Sequence, residues 1–212
     1  METARRFTDR TEAGERLAKA LSKREIDADI VLAIPRGGLP LGRAVADALD
    51  APLDVVVAKK IGAPGNPEYA IGAVASDGSV WRNEQAFHGT GSDEEYFERQ
   101  REEEAANARR KADRYRGGRL EPDLTGNTVV VVDDGVATGS TVRACLEKLK
   151  GEDADRLVLA VPVGPPDTID ELADEIDEVV CLETPAAFRG VGQFYENFEQ
   201  VTDEEAMTYL ET

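Results

Sequence analysis

The chain is short of the residues that most often carry catalysis or cross-links. Its 212 residues include one histidine, two cysteines, two methionines and one tryptophan. A single histidine, His88, excludes a metal centre built on histidines and a pair of histidine general acids. Its setting, AFHGTGS, reads as a surface loop. Cys145 falls in an expected helix and Cys181 in an expected strand. Neither belongs to a Cys-x-x-Cys pair, so both read as small buried hydrophobes rather than ligands or redox partners. No apolar run approaches the roughly 18 residues of a membrane span. Residues 1–17, METARRFTDRTEAGERL, lack the apolar stretch of a secretory signal. The expectation is a cytoplasmic protein with no membrane partner.

Positive charge is scarce as well. Lysine and arginine total 25 against 43 acidic residues, for a net charge of −18. A surface of that sign repels nucleic acid and anionic lipid, whose partners need basic footprints. A highly acidic, solvating shell of this kind predicts salt adaptation, a halophilic habit. Any anionic substrate must therefore be met by local cations and backbone N–H groups.

Several phosphate and hydrolase signatures are absent too. No G-x-x-x-x-G-K-[ST] loop occurs, GTGSDE and GVGQFY each lack the third glycine of a dinucleotide fingerprint, and no G-x-S-x-G elbow is found.

What is present is an alternation of short apolar runs with amphipathic segments. Asp9 and Glu12 have capping-box spacing, and Ala13, Leu17, Ala20 and Leu21 follow on one helical face. Buried strands are expected at 30–34, 53–60, 128–132, 156–163 and 178–183, and a short strand at 70–75 that pairs with SVWRN as a hairpin. The stretch 61–74 reads as a Gly/Pro-rich loop leading into that strand. Further helices are expected after the glycine turn at 37–38, from a Ser92/Glu95 capping box to about 116, at 140–150, at 168–174, and from a Thr202/Glu205 pair. Continuous valine-rich strands alternating with helices predict an α/β fold, a mostly parallel sheet of about five to six strands with helices on both faces. One domain is expected over 1–212, with a loop, hairpin and helix insertion at about 61–125. An aromatic C-terminal hood segment is expected at about 184–200.

In open α/β sheets ligands bind beyond the carboxyl ends of the strands. The segment with the clearest chemistry there is VVVVDDGVATGST, residues 129–141. Gly135 and Gly139 permit backbone angles that a side chain forbids. The following helix turns its first N–H groups and its positive dipole end toward the loop. Thr138, Ser140 and Thr141 add hydroxyls, and the whole makes a nest for a phosphate dianion. Asp133 and Asp134 cannot share that phosphate, because like charges repel. They suit the vicinal hydroxyls of a sugar, or a magnesium ion carried by the substrate.

This segment resembles the phosphoribosyl-pyrophosphate motif of the type I phosphoribosyltransferases: four hydrophobic residues, two adjacent acids, small residues, Thr-Gly, then a hydroxyl. The Ala-Thr-Gly centre is nearest to the adenine-type form. The resemblance implies that Asp133 and Asp134 bond the ribose hydroxyls. It further implies that Gly135, Val136, Ala137, Thr138, Gly139, Ser140 and Thr141 cradle the 5′-phosphate. Arg36 and Gly37 then stand in the pyrophosphate loop, with Arg36 steadying the leaving group. Lys59 and Lys60 either add charge near the pyrophosphate or simply end a strand. Mg2+ is implied as the substrate's companion ion, phosphoribosyl pyrophosphate or a nucleoside monophosphate as the ligand, and a homodimer as the assembly. The third acid of the 6-oxopurine enzymes is replaced by Ala137, which disfavours hypoxanthine and guanine as acceptors.

The acceptor side is open. Phe188, Phe194 and Tyr195 either stack on a base ring or pack the tail onto the sheet. Tyr69 and Trp81 are equally ambiguous. The implied function is transfer of a phosphoribosyl group from phosphoribosyl pyrophosphate to a nucleobase or related acceptor. The alternatives are a non-catalytic sensor of the same fold and a hydrolase using water as acceptor.

Overall fold

The structure, a computed structural model, describes residues 7–211. Two compact units are distinguished. The first comprises residues 1–55, 122–138 and 154–212, and the second residues 56–121 and 139–153.

The first unit is built on a five-stranded, wholly parallel sheet. Its strands are β1 (Ile30–Ala33), β2 (Leu53–Val55), β6 (Thr128–Val132), β7 (Arg156–Val163) and β8 (Glu178–Glu183), in the order β2-β1-β6-β7-β8. The central strands are buried along their length: Val31, Ala33, Val129, Val130, Val131, Val132, Val158 and Leu159 are fully inaccessible. This is why they read as unbroken apolar runs rather than alternating ones. Register pairs Ala33 with Val132 and Val132 with Ala160, so the carboxyl ends of β1 and β6 finish side by side.

Helices flank this sheet. Helix α1 (Arg10–Lys23) starts where its spacing requires. The Asp9 carboxylate accepts from the Glu12 N–H at 2.9 Å, and the Glu12 carboxylate accepts from the Thr8 N–H at 2.6 Å. Its buried face is Ala13, Gly14, Leu17, Ala18 and Leu21, whereas Ala20 is only half-buried. Helix α2 (Gly38–Leu49) packs against it, with Gly14 close upon the Leu41 backbone. Helix α6 (Pro166–Glu175) packs on β8.

The tail is woven into this unit. Phe7 N–H donates to the Phe194 carbonyl at 3.0 Å, Glu196 N–H to Phe7 at 2.8 Å, and Asn197 N–H to Thr8 at 2.9 Å. A 3-10 turn (Val191–Phe194) and a short helix α7 (Asp203–Thr208) complete the unit. The Thr202 hydroxyl caps α7 by accepting from the Glu205 N–H at 3.1 Å, the pair expected from the sequence.

The second unit contains a three-stranded antiparallel sheet, β3 (Ala58–Ala63), β4 (Asn66–Ala75) and β5 (Val80–Arg82), in the order β3-β4-β5. Helices α3 (Glu84–Gly89), α4 (Glu94–Arg116) and α5 (Ser140–Lys150) pack on it. Ile61, Ile71, Val74, Phe87 and Phe97 form its core.

Four expectations are corrected in this part of the chain. The single strand at 53–60 breaks at residues 56–57 into β2 and β3, which belong to different sheets. An apolar run does not reveal where a strand changes partner. Residues 61–74 are not a loop and short strand but a β-hairpin whose turn is Pro64-Gly65, with Gly65 at φ 72°. The cap of α4 is Asp93 rather than Ser92. The Asp93 carboxylate accepts from the Tyr96 N–H at 2.7 Å, while the Ser92 hydroxyl bonds the Thr90 hydroxyl at 2.8 Å. His88 lies on α3, not in a loop, and is exposed.

Candidate active site

The end of β6 and the N-terminus of α2 meet so closely that a side chain on Gly38, or on the N-cap residue Gly37, would force a neighbour to shift. A Cβ on Gly38 would lie 2.6 Å from the Val132 carbonyl, and one on Gly37 would lie 2.1 Å from Asp134 Oδ2. The Arg36-Gly37 turn and the Asp133-Asp134 pair are therefore in direct contact, one residue against the next. The Pro35–Arg36 peptide bond in this turn is cis. Arg36 is half-exposed, and its Nη1 lies 3.9 Å from Asp203 Oδ1 at the start of α7.

Asp133 and Asp134 are both partly buried. The Asp133 carboxylate accepts from the Asp134 N–H at 2.8 Å. The Asp134 carboxylate accepts from Arg10 Nε at 2.8 Å, with side-chain exposures of 12% for Arg10 and 14% for Asp134. Burial raises the Asp134 pKa above the ordinary carboxylate value, and the Arg10 guanidinium offsets part of that rise. The Asp134 carbonyl accepts from the Tyr195 hydroxyl at 2.7 Å. Burial, and then the Asp134 charge, push the Tyr195 hydroxyl well above the usual phenol range, so it stays a donor.

Beyond the pair, Gly135 lies against Val191 and Val163, and the Val136 N–H donates to the Val163 carbonyl at 2.9 Å. Ala137 and Thr138 are exposed, and the Ala137 carbonyl accepts from the Thr168 hydroxyl at 3.2 Å. Gly139 takes the left-handed conformation, φ 77° and ψ 0°, and is the residue before α5. It supplies no capping side chain, so the first turn of α5 is not closed by the usual Ser/Asp cap. Ser140 is buried and Thr141 half-buried.

Lys59 and Lys60 are on β3 in the second unit, opposite Val74 and Ala73, the first half-buried and the second exposed. Phe194 and Tyr195 are 0% and 1% exposed and present no ring to solvent. Tyr195 stacks between Phe7 and Phe198, at 5.4 and 5.0 Å, and half-buried Phe188 covers Phe194 at 5.3 Å. Tyr69 is exposed on β4. Trp81 on β5 lies under the Arg143 guanidinium at 5.1 Å.

Arg10 is the residue that sequence reasoning missed. Its Nη1 donates to the Glu199 carbonyl at 2.6 Å, and its guanidinium covers the Phe198 ring at 4.0 Å. A signal existed: a cation in the first turn of a helix opposes the helix dipole, so an arginine there implies a specific anionic partner. A cavity of about 180 Å3 adjoins it, lined by Arg10, Thr11, Pro40, Asn197, Glu205 and Tyr209 among others.

Among the described residues, no group of three His, Cys, Asp or Glu side chains could hold a metal ion. With one oxygen of Asp134 on Arg10, the donor set does not form a cage of its own.

A parallel sheet with an acid pair and a glycine-hydroxyl loop at a strand end defines a class, and the comparisons agree with it. The phosphoribosyl transferase domain model matches residues 8–199. A protein of Mycobacterium tuberculosis named a putative phosphoribosyl transferase is 43% identical over 205 residues, covering 97% of this chain and 46% of its own length. The chain thus spans about half the length of the curated relatives it matches. The crystal structure of TT1426 from Thermus thermophilus superposes with a TM-score of 0.81 at 41% identity, covering 97% of each chain. The chain belongs to the phosphoribosyltransferase family.

Proposed function

We propose that the chain transfers the 5-phosphoribosyl group from phosphoribosyl pyrophosphate, presented as its magnesium complex, to a nucleobase or related acceptor. The observation that carries this reading is the contact of Gly37 with the Asp134 carboxylate, which sets the Arg36 turn beside the acid pair. In that arrangement Asp133 and Asp134 accept hydrogen bonds from the ribose hydroxyls. Residues 135–141 receive the 5′-phosphate through backbone N–H groups and hydroxyls. Arg36 lies at the pyrophosphate.

The acceptor nitrogen forms a bond to C1 of the ribose as the bond from C1 to pyrophosphate oxygen breaks, and the acceptor's proton passes to solvent. Positive charge develops on the sugar ring between these events. Two carboxylates at the ring's hydroxyl edge oppose it where it arises, and a cation at the departing pyrophosphate stabilises the other side. Such a reaction needs no nucleophilic side chain, which fits a site without histidine or cysteine. Lys59 and Lys60 enter the reading through sequence position alone. The name of the Mycobacterium tuberculosis relative, a putative phosphoribosyl transferase, supports transfer chemistry without naming an acceptor.

The test is pyrophosphate release from phosphoribosyl pyrophosphate and magnesium in high salt, across a panel of purines, pyrimidines and related heterocycles. Release that depends on one acceptor supports transfer. Release without added acceptor indicates hydrolysis, and tight binding without release indicates a sensor.

A further inference from the structure

We propose that Arg10 is a positioning residue for this site, holding the Asp134 carboxylate in place and joining it to the C-terminal tail. The proposal rests on the functional reading above. Three contacts converge on one guanidinium: Nε on Asp134 Oδ2 at 2.8 Å, Nη1 on the Glu199 carbonyl at 2.6 Å, and the Phe198 ring face at 4.0 Å. None is a contact that an arginine in a first helical turn makes by default, because the dipole there repels it.

The geometry explains what the contact does. The Asp134 carboxylate sits close against Gly37 on one side and on the Arg10 guanidinium on another. Arg10 comes from α1 and Asp133 from its own loop, while the Tyr195 hydroxyl from the tail holds the Asp134 carbonyl. Arg10 is the cation bonded to the carboxylate. Take it away, and a buried carboxylate beside Asp133 loses that ion pair. The neutral form then gains, and a protonated acid accepts a ribose hydroxyl poorly.

The link to the tail gives the contact a second consequence. Residues 198–199 are held by Arg10 as well as by Tyr195, so the segment bordering the 180 Å3 cavity shares a side chain with Asp134. A ligand that reorients Asp134 thereby reports to residues 198–199, and occupancy near the tail reports to the sugar site.

The experiment compares the unmodified chain with Arg10→Gln and Arg10→Lys by 13C-carboxyl NMR titration of Asp134 and by calorimetric binding of phosphoribosyl pyrophosphate with magnesium across pH. Melting curves show whether each variant folds. Arg10→Gln is expected to move the Asp134 midpoint upward. It should weaken binding roughly tenfold or more near neutral pH, with recovery as pH rises, because one charge-assisted bond is worth about that factor. Arg10→Lys restores the midpoint and most of the binding. An unchanged midpoint overturns the proposal, and so does a loss of binding that is equal at every pH, since that is the mark of a merely structural role. If the unmodified chain binds no phosphoribosyl pyrophosphate, the functional reading fails, while the carboxyl titration still decides whether Arg10 holds Asp134 ionised.

Discussion

The Asp134 carboxylate fills the space that a side chain at residue 37 would need: a Cβ on Gly37 would stand 2.1 Å from Oδ2 and 2.6 Å from Cγ. That contact couples the first βα turn to the acid pair at the end of β6. Replacement of Gly37 by alanine should therefore act on the site rather than on the core. Overpacking of this kind costs about 1–3 kcal/mol, and relief requires Asp134 to leave its position on Arg10. Gly37→Ala is expected to lose phosphoribosyl pyrophosphate binding by more than its fall in melting temperature explains. Calorimetry and thermal melts on the same preparation measure both.

The acid pair should separate binding from folding. Asp133→Asn with Asp134→Asn is expected to abolish phosphoribosyl pyrophosphate binding and keep the native circular dichroism spectrum. The pH dependence carries a sign. The folded-state pKa of Asp134 is raised, so the native state holds its proton at pH values where the unfolded chain has released it. Stability from this group is thus gained as pH falls through the raised midpoint to the ordinary carboxylate value, and lost as pH rises back through that midpoint. Asp134→Asn removes that dependence. Urea unfolding at several pH values should show the unmodified chain gaining on the Asp134→Asn variant as the solution is acidified.

The tail aromatics should behave as core. Phe194→Ala removes a ring with no exposed surface and should destabilise the first unit by about 3–5 kcal/mol. Tyr195→Phe leaves the Asp134 carbonyl without its 2.7 Å donor, at a cost of about 1–3 kcal/mol. Chemical denaturation reads both. A role in base stacking would instead show as lost acceptor binding with unchanged stability.

Salt should stabilise the chain. At −18, self-repulsion is relieved as the Debye length shortens from about 10 Å at 0.1 M to about 3 Å at 1 M. The melting temperature is expected to rise steeply over that range with potassium chloride. An iso-osmotic sugar should give a smaller rise.

Much of the first unit was legible in the sequence because its strands are buried on both faces. The runs at 128–132, 156–163 and 178–183 are the strands observed, and the Thr202/Glu205 spacing marked the cap of α7. The position of the acid pair and its loop was legible for a different reason: the valine run of β6 ends where they begin, and the next helix starts at Ser140. What could not be read was partnership at a distance. Nothing local says that residues 56–57 separate strands of two sheets, that Pro64-Gly65 turns a hairpin, or that Phe7 pairs with the tail. Arg10 belongs to the same class, since its meaning lies 124 residues away at Asp134. Phe194 and Tyr195 show the limit of composition, because an aromatic cluster looks the same whether it faces a ligand or fills a core.

The most direct test of the central claim is calorimetric titration of the chain with phosphoribosyl pyrophosphate and magnesium in high salt, beside the Asp133→Asn/Asp134→Asn variant. Saturable binding by the unmodified chain, lost in a variant that remains folded, is the predicted result. No binding by the unmodified chain, or equal binding by both, would contradict the account.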